Sequence, residues 1–348
     1  MNFITPSALL IDEKDPYKKI ELAGRTCYKS EDKITDESAP KFTRGLIKSG
    51  HTAMVEHAAF VFQLSGRKHP VPNSILNELR ANPYLHVTET WHYKTEGAET
   101  EAFTRILVSG NIRALNGDLP NEDVLSAEDT LNGVGPLIRA LYEQYPALVY
   151  GCHLITKEGT LAWMAQNHAN VTATIVDIDT LPDLTDEEIM AHKYLTVRCV
   201  TDRGVTHEMV RHRPASYAQE STRYVNYKTG INIALPTGFY EKPEEVQAEY
   251  EAAFWDADRH YGALIEMGEK PQQARAVLPT ATKTEIVMTA NCGEWRHFFN
   301  LRLFGTTGKP HPDMAALAQL MHSEMTEKDK TFAMWAETAF AGLTPATA

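Results

Sequence analysis

The chain has 348 residues with 46 acidic against 34 basic side chains and a formal net charge of −12 at pH 7, so it lacks the basic field that general nucleic-acid or membrane-surface binding requires. Its 43% hydrophobic and 23% charged content is that of a globular protein, long enough for one large domain or two ordinary ones. Cys27, Cys152, Cys199 and Cys292 are widely spaced, fit neither a disulfide scaffold nor a zinc site, and read as reduced thiols of a cytoplasmic protein.

The opening "MNFITPSALLIDEKD" has no basic segment followed by an apolar core, and no apolar run reaches membrane-span length, so neither a signal peptide nor a membrane anchor is expected. A helix is predicted from Pro16 to near Gly24, and "APKFTRGLIKSGH" predicts a second, stopped by Gly50. The alternating, Phe- and Val-rich "EHAAFVFQLSG" predicts a strand from Ala58 to Leu64. Residues 66–191 are less regular and read as an insertion inside a single domain spanning 1–348. They hold turn chemistry at Asn116 to Glu122, a strand-like "FTRILVSGNIRAL" and a helix around Gly135 to Tyr145. Order resumes with "KYLTVRCVT", a second strand.

The last third reads as mainly helical. Val246, Tyr250, Phe254, Ala257, Tyr261 and Leu264 form one stripe that Gly268 ends. "KPQQARAVLP", "TEIVMTANCGEWRHFFNLRLF" and "PDMAALAQLMHSEM" are further helical candidates, and 342–348 is expected to be a disordered tail.

One segment concentrates positive charge in this acidic chain: "RHRPASYAQESTRY", Arg211 to Tyr224. A metal site is disfavoured, because His207 and His212 are five residues apart, about 140° around a helix, and cannot share an ion from one face. Ser216 and Ser221 lack the G-x-S-x-G setting of a nucleophile. An anion site suits the chemistry best. Arginine forks match phosphate, Pro214 breaks the backbone between Arg213 and the hydroxyls, and Ser216 and Gln219 have the spacing of a helix-capping pair. A solvated charged face is the plain alternative.

Arg-His-Arg, seven residues, then Ser221 resembles the hallmark of the flavin-dependent thymidylate synthases. The resemblance extends to "AGRTCY" (23–28), "GHTAMVEH" (50–57), "ARAVLP" (274–279) and "TANCGEWRHFFNLR" (289–302), in family order. "SGNIRAL" is similar to a segment of the longer members. The resemblance implies an α+β fold of the thymidylate-synthase-complementing-protein type, with a central, mainly antiparallel sheet flanked by helices and a long insertion. It implies reductive methylation of dUMP to dTMP by a methyltransferase with bound FAD, using NADPH and methylenetetrahydrofolate, in a homotetramer whose sites span subunits. No nucleic-acid or membrane partner is expected.

By the same resemblance, His51, Ala53, Glu56, Arg211, His212, Arg213, Gln219, Asn291 and His297 face the flavin. Glu208, Arg211, Gln219, Glu220, Ser221, Arg223, Arg275 and Arg302 face dUMP, with Ser221 and Arg223 near its phosphate. Arg302 is the residue that polarises the uracil ring, a role in which a fixed guanidinium stabilises charge on the N3/O2 edge. Three positions depart from the family pattern: Ala53 lacks a hydroxyl, Glu208 places a carboxylate near an anionic ligand, and Gly293 replaces an arginine of some relatives. The competing readings are a catalytically inactive nucleotide- or flavin-binding regulator and a metal-dependent hydrolase. No G-x-G-x-x-G, Walker A or H-E-x-x-H pattern is present.

Overall fold

The computed structural model describes residues 1–67, 70–96, 99–116, 134–151 and 170–346. Strands β1 (Asn2–Ile4) and β2 (Ser7–Leu10) lead into helices α1 (Pro16–Tyr28) and α2 (Ser38–Lys48), and a 3-10 turn, Thr52–His57, precedes β3 (Ala59–Gly66). There follow α3 (Asn73–Ala81), β4 (His86–Glu96), β5 (Glu99–Asn111), α4 (Ile112–Asn116), α5 (Gly135–Gln144), α6 (Pro146–Gly151) and β6 (Val171–Ile175). Next come α7 (Asp186–His192), β7 (Tyr194–Asp202), α8 (Arg203–Met209), β8 (Ser216–Gln219) and β9 (Asn232–Ala234). The chain closes with α9 (Glu244–Glu266), α10 (Pro271–Ala274), β10 (Lys283–Asn291), α11 (Cys292–Arg302), α12 (Pro312–Lys328) and α13 (Lys330–Ala339).

The expected α+β fold with antiparallel sheet and flanking helices holds, and the sheet is doubled. One four-stranded sheet has the order β2-β7-β10-β8, the other β4-β5-β3-β6, and all their pairings are antiparallel. A two-stranded parallel pair, β1-β9, stands beside them. The second sheet is built from the residues expected as an insertion, together with β3. Its core includes Phe62, Leu76, Val108 and Leu137, and a separate core under the first sheet includes Val197, Met288, Trp295 and Phe299.

Helix α7 joins the two. Its capping box, Thr185 with Glu188, sets the start of the helix. The fully buried Glu188 carboxylate then takes hydrogen bonds from Thr90 Oγ1 (2.6 Å) and Arg105 Nη1 (3.3 Å) and lies 3.0 Å from His92 Nε2. Burial works to raise the Glu188 pKa, but bonds from Thr185, Thr90, His92 and Arg105 outweigh it and hold the carboxyl below its ordinary value. His192 makes two more links, to Thr88 Oγ1 at 2.8 Å and Ser109 Oγ at 2.7 Å.

Several predicted elements need correction. Helix α1 starts at Pro16, with Asp15 accepting from Tyr17 N–H, but it runs through Gly24 to Tyr28. Gly24 is there for packing: a Cβ would lie 2.6 Å from the Phe42 ring of α2. The first half of the "TEIVMTAN…" candidate is not helical but the central strand β10, flanked by β7 and β8. Nearly every residue of that strand is buried, so it shows no alternation, and its short apolar run Ile286–Met288 cannot be told from a buried helix segment by periodicity. Ser216 and Gln219 cap nothing. They lie in β8, drawn into the ladder by the edge of β10, with Ser216 opposite Thr289. In α9 the stripe is only partly used, since Phe254 and Tyr261 are buried while Val246 and Tyr250 remain exposed; Gly268, at φ +95°, ends it as expected.

The strand-like 103–115 run is β5 up to Asn111 and then helical. Of the turn expected at Asn116 to Glu122, all but Asn116 lies outside the described residues, as do Cys152 and the last two positions of the tail. Ala346 N–H donates to Leu303 O at 2.8 Å.

Candidate functional site

Helix α8 is opened by Asp202, which accepts from Val205 N–H, and it ends at Met209. Arg211, His212 and Arg213 therefore lie in the turn between helix and β8, where their side chains are free of helical spacing. Arg211 and Arg213 are exposed, and among the described residues neither guanidinium has a hydrogen bond or ion pair. His212 turns inward, is buried, and meets Phe298 edge-on at 4.9 Å and His297 at 5.6 Å.

Arg302, the last residue of α11, reaches the same place. Its Nε donates to His212 Nε2 at 3.1 Å, Nη1 to Glu208 Oε2 at 2.5 Å and Nη2 to Glu208 O at 3.5 Å. The Glu208 carboxylate that departs from the family pattern is thus matched by an arginine. A guanidinium can only donate, so His212 Nε2 is an acceptor and the ring proton sits on Nδ1. Burial, then the charges of Arg302 and His297, pushes the His212 pKa down to about 4, in keeping with that neutral ring. His212 Nδ1 is buried and without a partner among the described residues.

A second group surrounds a cavity of about 480 Å³. Family-motif residues Glu56, Arg213, Ser216 and Asn291 line it together with Tyr84, His86 and Arg113 from the second sheet's side. Asn291 caps α11, its Oδ1 accepting from Glu294 N–H at 2.9 Å, while its Nδ2 lies 3.0 Å from His86 Nε2. Glu56 forms an ion pair with Arg113. Tyr194 also lines the wall, and burial raises its hydroxyl pKa to about 12. Gly293 lies two residues after Asn291, and a Cβ there would come 3.3 Å from Met190 O of α7. The backbone of α7 thus leaves little room for a side chain at this position.

A third group gathers around Ser221. Its N–H donates to Cys27 O at 3.0 Å, and Tyr28 packs 5.4 Å from Tyr224 and hydrogen bonds to His51 through its hydroxyl. Arg223 lies over the Tyr224 ring at 5.6 Å, and Arg275 Nη1 donates to Thr222 Oγ1 at 3.0 Å. Gln219 and Glu220 lie at the same strand end with their side chains already engaged. Gln219 Nε2 donates to Thr206 Oγ1 (2.8 Å), and the buried Glu220 accepts from Tyr227 OH (2.7 Å) and Lys283 Nζ (2.9 Å). Ala53 is exposed on the 3-10 turn.

The expected residues thus fall into three groups. Within one chain the hydrogen bonds, ring contacts and cavity wall join His212, His297, Glu208 and Arg302; Glu56, Arg213 and Asn291; and His51, Ser221 and Arg223. Sequence reasoning missed Tyr84, His86, Arg113 and Tyr194. Arg113 falls in "SGNIRAL", the one available signal; the others carry none. Among the described residues no group of three or more His, Cys, Asp or Glu is placed to hold a metal ion, and no helix is long and apolar enough to cross a membrane.

Among curated proteins, the flavin-dependent thymidylate synthase of Geobacter sulfurreducens is 35% identical over 127 residues, covering 36% of this chain and 54% of its own. Those of Mycobacterium avium and Thermococcus kodakarensis are 38% and 36% identical, covering 29% and 33% of this chain and 45% and 49% of their own. The chain spans about half the length of the curated relatives it matches. Among solved structures, a UMP/dUMP methylase, PolB, of Streptomyces cacaoi bound with 5-Br dUMP aligns over 97% of both chains at 13% identity with a TM-score of 0.41. The family model described as thymidylate synthase complementing protein matches residues 9–79 and 150–329. Those stretches make up most of the chain and contain all three groups apart from Tyr84, His86 and Arg113, and on that match the chain belongs to the thymidylate synthase complementing protein family.

Proposed function

We propose that the protein is a flavin-dependent thymidylate synthase that converts dUMP to dTMP, taking its carbon from methylenetetrahydrofolate and using FAD reduced by NADPH. The observation that carries this reading is the fixed guanidinium of Arg302. Of its five N–H donors, three go to His212 and Glu208, which leaves two for a ligand. Aimed at the N3/O2 edge of uracil, they stabilise the charge that must develop there before C5 can attack the one-carbon unit. No enzyme thiol is needed for this. Burial pushes the thiols of Cys27, Cys199 and Cys292 up in pKa, the opposite of an activated thiolate.

Ser221 and Arg223 supply hydroxyl and guanidinium donors for the dUMP phosphate, with Arg275 bracing the same loop through Thr222. Arg211 serves the nucleotide and flavin alike, while Gln219, Glu220 and Glu208 support the pocket through the partners they already hold. The residues present fit a flavin. The cavity is in the size range of cofactor sites, Arg213 on its wall has a guanidinium without a partner among the described residues, and Ser216 and Asn291 add polar contacts. His51, Ala53, Glu56, His212, Arg213, Asn291 and His297 are the residues proposed to hold it. When bound, FAD supplies the hydride. The chain's own part is to orient the two ligands, exclude water and keep His212 neutral as the acceptor that fixes Arg302.

The working unit is proposed to be a cytoplasmic homotetramer whose copies complete each site; light scattering measures its mass. The test of the activity is direct. Purified protein should be yellow, bleach under NADPH without oxygen, and form dTMP from dUMP and methylenetetrahydrofolate. A colourless protein that cannot be reconstituted with FAD overturns the reading. One that binds FAD and dUMP but forms no dTMP is the inactive regulator instead.

A further inference from the structure

Residues 80–149 lie outside the family match, yet two of their side chains hold two family-motif residues across the cavity wall. His86 Nε2 meets Asn291 Nδ2 at 3.0 Å, and Arg113 pairs with Glu56. The orientation of the Asn291 carboxamide is dictated by its other neighbours. Oδ1 faces the Glu294 N–H at 2.9 Å, which can only donate, and Nδ2 faces the Ala191 carbonyl at 3.4 Å, which can only accept. His86 must therefore offer the lone pair of a neutral ring at Nε2 and carry its proton on Nδ1. Asn291 is only 4% exposed, so water is a poor substitute for that acceptor. Glu56 sits in the short 3-10 turn Thr52–His57 and is partly exposed, so its carboxylate depends on a partner such as Arg113 for a fixed position.

We propose that the insertion is a positioning shell for the flavin site: His86 sets the carboxamide of Asn291, and Arg113 sets the carboxylate of Glu56. The proposal rests on the flavoprotein reading above, in which those two residues face the cofactor. His86 and Arg113 act through them and are positioning residues, not catalytic ones. Four substitutions separate positioning from bulk. His86→Leu removes the acceptor and His86→Gln returns one. Arg113→Ala frees Glu56 and Arg113→Lys keeps the charge. The Arg113 side chain is half exposed, so Arg113→Ala leaves the fold intact even if His86→Leu does not.

The measurement is the FAD dissociation constant of the full chain from flavin fluorescence quenching, together with the flavin absorption band and a thermal melt of each variant. His86→Leu and Arg113→Ala should each weaken FAD binding about tenfold, the worth of one hydrogen bond or partly exposed ion pair. His86→Gln and Arg113→Lys should recover most of the loss. The double variant should multiply the two effects, because the residues hold different partners. If wild-type protein binds FAD and both loss variants match it in affinity and spectrum, the proposal is overturned while the flavoprotein reading stands. Loss without recovery in the Gln and Lys variants overturns it as well. A wild type that binds no FAD overturns both.

Discussion

Arg302 illustrates how a charged side chain becomes a tool by being immobilised. Glu208 and His212 hold it from two sides, so its orientation costs nothing at the moment of reaction. Arg302→Ala should lower kcat for dTMP formation by about 10²–10³-fold, the loss typical of one preorganised donor group, while FAD affinity changes little. Steady-state kinetics with a parallel FAD titration checks this, and wild-type kcat would remove the polarising role. Ser221 makes a complementary case. Its hydroxyl accepts from Arg223 N–H at 3.3 Å, the posture of a phosphate-loop residue and not of a nucleophile paired with a base. Ser221→Ala should raise the dUMP KM about tenfold through one lost charge-assisted bond, with kcat largely kept. If kcat vanished while dUMP binding persisted, a nucleophilic serine would have to be reconsidered.

Among the elements, α7 is where buried charge joins two sheets. Its Glu188 is fully buried and depends on Arg105 of β5. Arg105→Met leaves that carboxylate without its cation and should cost about 3–5 kcal/mol, seen as a fall of several degrees in Tm. An unchanged melt would mean that Thr90, His92 and Thr185 suffice. Helix α9 was legible in the sequence because apolar residues repeat on one face, and β3 because it alternates. β10 was not, because its burial on both faces erases the period. The site divides in the same way. Arg211 to Arg223 announce themselves by charge in an acidic chain, whereas His86 has no local signature and Arg113 only its place in "SGNIRAL". Their meaning arises only when a distant strand and a short helix are folded against Asn291 and Glu56.

For the whole molecule, acid is the expected weakness. Burial holds His57 and His192 neutral, with pKa values pushed down to about 3, and His212 to about 4. Each lies below the unfolded value of about 6.5, so their contribution is intact above that pH and is lost as pH falls from about 6.5 toward 3. The carboxyl of Glu285, held down to about 2 against its burial by bonds from Lys283, Lys29 and Arg198, adds loss in the same direction below about pH 4.5. Thermal melts should be level between pH 7 and 8 and fall steadily below 6.5; a Tm unchanged down to pH 4 would contradict the burial of these histidines.

The sharing of β3 bears on any attempt to shorten the chain. Of the two neighbours of β3, β5 comes from the stretch outside the family match and β6 from the matched stretch that follows it, while the 3-10 turn before β3 is pinned to the first sheet by Ser216 Oγ on Glu56 O at 3.3 Å and His57 Nδ1 at 2.8 Å from Thr289 Oγ1. Excising residues 80–175 would therefore leave Phe60, Phe62 and Leu64 on a strand with two open edges, a template for aggregation. Such a deletion should yield insoluble protein, recoverable only if β3 is removed or repaired with it. The added segment is stitched into the fold and is not a detachable module.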